Sequence, residues 1–85
     1  GALRGYKDIN LQAMKVLAPG GTLFTASCSH HLSRGLFFEM LQEAVGDSGR
    51  RFALRAFTGQ PVDHPEIIGI PETGYLKGAV LESMD

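Results

Sequence analysis

The stretch from Ala18 to Ser29 constrains the fold of this chain more than any other. Ala18-Pro19-Gly20-Gly21 cannot extend a helix, because proline lacks a backbone donor and glycine accepts the left-handed turn that ends one. The run over 22–28 that follows is short and apolar on both faces, and it turns polar from Ser27 onward. Cys28, the only cysteine, therefore stands where a buried strand stops and a helix is about to begin. In sheets covered by helices on both faces, ligands bind beyond the carboxyl ends of parallel strands. A thiol there, beside a helix amino terminus and the imidazoles of His30 and His31, has surroundings that favour a thiolate nucleophile. The opposing reading is a buried structural cysteine, because this residue type also packs well in cores.

Helical and extended patterns alternate on either side. Tyr6, Ile9, Ala13, Val16 and Leu17, widened by Leu11 and Met14, predict a helix over 6–17. Ser33 is a candidate cap for a second helix carrying Leu36, Phe37, Phe38, Met40, Leu41, Ala44 and Val45, with residues 46–49 ending it. A second strand is predicted over 52–57, with Phe52, Leu54 and Ala56 on one face and Ala53, Arg55 and Phe57 on the other. Residues 58–74 contain Pro61, Pro65 and Pro71 and read as a long loop, and a third strand is predicted over 75–81. The fold class is α/β. The strand-helix-strand crossover predicts a right-handed parallel pair, and the last strand an antiparallel return, which together make a three-stranded mixed sheet. A chain that opens on a helix without a preceding strand implies a missing amino-terminal sheet. The open edge of 22–28 is then expected to recruit a strand, by homodimerisation or strand swapping.

Composition removes several classes. Eighty-five residues make one small unit, 44% apolar and 20% charged, which reads as globular. A net charge of −1 gives no general attraction to nucleic acid or to an anionic membrane, so any RNA contact has to come from a local patch. One cysteine cannot form an internal disulfide, and no apolar run is long enough to span a bilayer, so a cytoplasmic setting is expected. Two histidines and one cysteine without a second ligand pair do not make a metal site.

Gly1-Ala2-Leu3-Arg4-Gly5-Tyr6-Lys7-Asp8-Ile9-Asn10, Gly20-Gly21, Ser27-Cys28-Ser29, Asp63-His64-Pro65 and Tyr75-Leu76-Lys77-Gly78, in that order, resemble the carboxyl-terminal part of class I S-adenosylmethionine-dependent methyltransferases. The resemblance is to the bacterial large-subunit ribosomal RNA cytosine-5 methyltransferases of the I type, and it runs essentially the length of the chain. It implies a Rossmann-like sheet whose last strand inserts beside an earlier one. It also implies S-adenosylmethionine as cofactor, ribosomal RNA as partner and Cys28 as the nucleophile that adds to C6 of cytosine. The family's acidic-proline-proline motif would precede residue 1. Its glycine-rich cofactor turn and its RNA-binding domain have no counterpart here, so residues 1–85 correspond to the end of a catalytic domain. No cofactor-binding residue is expected in them, and alone they are expected to be inactive.

The inferred topology sends the start of the first helix (Arg4 to Asp8) and the loop with Asp63, His64 and Pro65 to the rim that holds Cys28. His30, His31, Asp63 and His64 are candidates to support the thiol, although His64 before Pro65 also fits a fixed turn. Arg4, Lys7 and Arg34 are candidates to steer an RNA phosphate, against the alternative of a solvated basic face. Tyr75 and Phe57 could stack on a base or pack in the core, and Lys77 reads as solvent-facing. Two further readings stand beside the enzyme fragment. One is a non-catalytic interaction module using its open strand edge; the other is a methyltransferase of a different substrate.

Overall fold

The computed structural model describes residues 2–29, 32–59, 67–69 and 76–85. Five elements follow one another: α1 (Ala2–Val16), β1 (Thr22–Ser27), α2 (Arg34–Ser48), β2 (Phe52–Thr58) and β3 (Lys77–Ser83). This is the α/β order read from the sequence. Ser33 caps α2 from an extended backbone (φ −69°, ψ 161°), its hydroxyl accepting from the Leu36 N–H at 3.1 Å. That bond satisfies one of the amide donors left open at a helix start. Gly46 does not stop α2, which continues to Ser48. The left-handed Gly49 (φ 72°) closes it by donating to the Gly46 carbonyl.

The sheet has the order β1-β3-β2, and β3 is antiparallel to both neighbours. β1 and β2 therefore run in the same direction, as the crossover requires, but they do not pair. The expectation of an adjacent parallel pair in a mixed sheet is corrected here: the last strand lies between the other two, and every ladder is antiparallel. The inserted strand is the arrangement that the family resemblance implied. β3 is the interior strand, and Gly78 answers its crowding. A Cβ there would lie 2.5 Å from Thr58 Oγ1 and 3.3 Å from the Thr25 carbonyl oxygen.

Both helices meet one face of this sheet. The core joins Met14 of α1, Phe37, Met40, Leu41 and Ala44 of α2, Leu32, and Ala79 and Leu81 of β3. Phe38 is only partly buried. Burial along β1 alternates, with Leu23 toward the core and Phe24 62% exposed, so this strand is covered on one face rather than on two. The register of β2 shifts between Leu54 and Ala56. A bulge of this kind inserts one extra residue and resets the alternation. Phe57 thereby pairs with Ala79 on the face already used by Leu54 and Leu81. Strict alternation had put it on the opposite face. Its ring meets Phe37 and Phe38 edge-on, with centroids 6.3 and 5.8 Å apart. Phe57 is thus a core contact, not a free stacking platform.

Arg50 links three elements. Its guanidinium donates to the carbonyls of Met14 and Leu17 at the end of α1 and to Ser83 Oγ of β3, and it lies 5.6 Å from the Phe52 ring centre. A cation at a helix carboxyl terminus satisfies orphan carbonyls and opposes the helix dipole. Outside the core, β2 and β3 are also joined by Arg55 with Glu82 and by Arg51 with Asp85. The Arg51 backbone N–H and guanidinium hold the Asp85 carboxyl below its ordinary value. Replacing Arg50 by methionine keeps the aliphatic stem and strands these acceptors. Urea unfolding of Arg50→Met is expected to show a loss of about 2–3 kcal/mol. A loss below about 0.5 kcal/mol would contradict the linking role.

Candidate active site

The register gathers four chain segments at one end of the sheet. Ser27 at the end of β1 faces Lys77 at the start of β3, and Thr58 at the end of β2 faces Gly78. α2 begins at the same end, where Arg34 Nη2 lies 3.5 Å from the position a Cβ on Gly59 would take. Cys28 is the first residue beyond β1, and it is exposed and unbridged. The buried-cysteine reading therefore does not describe this thiol.

The backbone around Cys28 is held from below. Ser27 is buried, and its hydroxyl accepts from the Ser29 N–H at 3.2 Å, which tightens the turn around the cysteine. The Ser29 carbonyl accepts from Lys77 Nζ at 2.8 Å and from the Leu32 N–H at 3.4 Å. Lys77, read from sequence as solvent-facing, is 1% exposed. A buried ammonium is tolerated only with compensating partners. Burial pushes Lys77 below its ordinary value, an interaction with Cys28 opposes that shift, and Arg34 adds to it. The Lys77 nitrogen thus stands inside the sheet end, at the Ser29 carbonyl. A lysine in a short strand carries no sequence sign of burial, and this residue was missed.

Not every candidate joins this rim. His30, His31, Asp63, His64, Pro65 and Tyr75 lie outside the described residues. Lys7 pairs with Asp47 at 2.8 Å and Glu43 at 3.6 Å, and these carboxylates, through hydrogen bonding to Asp47 first, raise its pKa. Asp47 lies roughly 20 Å along α2 from Arg34 at ~1.5 Å per residue. Lys7 is thus set against the far half of α2 rather than beside Cys28, unlike the expected placement. Arg4 is exposed and lines, with Lys7, Asp8, Glu43 and Asp47, a groove of about 590 Å³ between the helices. That groove mixes both signs of charge. Among the described residues no group of His, Cys, Asp and Glu could hold a metal ion, and no helix is long and apolar enough to cross a membrane.

The fold has counterparts among solved structures. The chain superposes on a structure described as a methyltransferase complexed with SAH, with TM-score 0.84 and 14% identity, covering 94% of this chain and 20% of that one. A SAM-dependent methyltransferase from Streptococcus mutans matches with TM-score 0.85 and 13% identity, covering 96% of this chain and 21% of that one. The fold is shared with these methyltransferases.

Sequence similarity is more particular. The chain is 45% identical over 80 residues to the ribosomal RNA large subunit methyltransferase I of Pseudoalteromonas translucida (strain TAC 125), covering 94% of this chain. Proteins of the same name from Aeromonas salmonicida (strain A449) and Vibrio vulnificus (strain YJ016) are 45% identical over 83 residues and 47% identical over 78. The chain spans about a fifth of the length of these relatives, 20–21%. No family model matches it.

The described residues do not fit S-adenosylmethionine. A phosphate- or nucleotide-cradling turn follows a strand and opens a helix. Here Gly20 and Gly49, with positive φ, precede β1 and β2 and so lie at the rim opposite Cys28, and Gly69, the third, is followed by β3 rather than by a helix. The described residues between β1 and α2 are Cys28, Ser29, Leu32 and Ser33 instead.

Proposed function

We propose that this chain is the carboxyl-terminal segment of the catalytic domain of an S-adenosylmethionine-dependent RNA methyltransferase, and that it carries the nucleophile, Cys28, for methylation of cytosine C5 in large-subunit ribosomal RNA. The observation that carries the reading is the exposed thiol at the carboxyl end of β1, on a turn fixed by Ser27 and Lys77. The names of the relatives support the substrate class, and the shared methyltransferase fold supports the cofactor. In this reading the cytoplasm, where ribosomes assemble, is the setting.

Cytosine C5 is a weak nucleophile. Addition of the Cys28 thiolate forms an S–C6 bond and places the displaced electron pair at C5, dividing one difficult step into easier ones. S-adenosylmethionine, bound by other parts of the protein, supplies the methyl group. Loss of the C5 proton to a base then returns an electron pair to the ring, and the S–C6 bond breaks to release the thiolate. His30, His31, Asp63 and His64 remain the candidates to support the thiol, and they lie outside the described residues. Arg34 is the basic residue best placed to meet an RNA phosphate, because it stands at the rim that Cys28 occupies.

Two measurements test this. Cys28→Ala in the intact protein is expected to abolish methylation of ribosomal RNA while leaving the thermal transition within about 2 °C, since an exposed side chain is removed. Normal methylation by that variant would place the nucleophile elsewhere. Calorimetric titration of the 85-residue chain with S-adenosylmethionine is expected to give no heat of binding, and micromolar affinity would overturn the assignment of the cofactor site to other segments. A non-catalytic module is a second reading, favoured by the exposed Phe24 and by β1 standing at the sheet edge. Full methylation by Cys28→Ala together with loss of partner binding on Phe24→Ala would select it.

A further inference from the structure

Lys77 is the buried ionisable group that the proposed chemistry leaves unused. It is 1% exposed, yet its nitrogen reaches the rim and donates to the carbonyl oxygen of Ser29, the residue after the nucleophile, at 2.8 Å. Its backbone is placed by the ladder with β1, where Lys77 stands directly opposite Ser27, and the next residue, Gly78, pairs with β2 as well. Ser27 in turn accepts from the Ser29 N–H. The two residues flanking Cys28 are thus each tied to the interior, one through its own buried hydroxyl and one through the lysine, while the cysteine between them faces outward.

We infer that Lys77 is a positioning residue: by holding the Ser29 carbonyl, its side-chain nitrogen fixes the Ser27-Cys28-Ser29 turn so that the thiol projects from the rim. This inference rests on Cys28 being the nucleophile. Lys77 does not touch the pyrimidine, because it is buried beneath the turn. Its effect reaches the chemistry through Cys28. A small displacement of a reacting group costs rate far more than it costs binding.

The test uses the intact protein with ribosomal RNA and S-adenosylmethionine, and compares Lys77→Met, Lys77→Arg and Cys28→Ala. Lys77→Met is expected to lower kcat by about tenfold or more with KM for both substrates within about twofold, and Lys77→Arg, which keeps the charge and the donor, to recover most of the loss. Unchanged kcat in Lys77→Met, with Cys28→Ala inactive, overturns the role of Lys77 and leaves the nucleophile standing. Full activity in Cys28→Ala overturns the reading on which the inference rests. If Lys77→Met does not fold, Lys77→Gln, which keeps a donor on a shorter stem, decides: kcat lowered about tenfold with KM within about twofold is expected, and unchanged kcat overturns the inference.

Discussion

The position of β3 between β1 and β2 governs everything that the Cys28 rim can do. Antiparallel pairing on both edges aligns the start of β3 with the ends of its two neighbours. That alignment carries Lys77 to Ser27 and brings its side chain beneath the turn at Cys28. Had β1 and β2 paired directly, β3 would have been an edge strand, and Lys77 could not have stood opposite Ser27 while Gly78 stood opposite Thr58. The same insertion demands a residue without a side chain at Gly78, between Thr25 and Thr58. Topology, register and the electrostatics of the rim are one constraint.

Element order was legible because it is written in local chemistry. Proline and glycine punctuate α1, Ser33 caps α2, and the apolar stripe of α2 has the helical period. What escaped depends on contacts between distant residues. The pattern of β2 gives no sign of the bulge at Arg55, so Phe57 was read on the wrong face. Arg50 finds its acceptors on Met14, Leu17 and Ser83, more than thirty residues away in either direction. The bare face of β1 also escaped, since an apolar strand reads as covered on both sides whether or not a covering layer is present.

The candidate site divides in the same way. The place of Cys28 was legible from the junction of an apolar run and a helix cap, and the side chain is exposed there. The basic residues were legible only as charges. Lys7 proved to be engaged with Asp47 and Glu43 on the far half of α2, whereas Arg34 stands at the rim beside the end of β2. No local signal separates a lysine that pairs two helices from an arginine at the end of the sheet. Lys77, buried against the Ser29 carbonyl, looked the most ordinary of them all.

The measurement that bears most directly on this account is a covalent trap. Ribosomal RNA transcribed with 5-fluorocytidine presents fluorine where a proton has to leave, so the adduct formed through C6 cannot resolve after methyl transfer. Incubated with the intact protein and S-adenosylmethionine, it is predicted to give a protein–RNA species that survives denaturation, with the modified nucleotide on the peptide containing Cys28. Methylation of unmodified RNA without any such species, or an adduct on a different cysteine, would contradict the account.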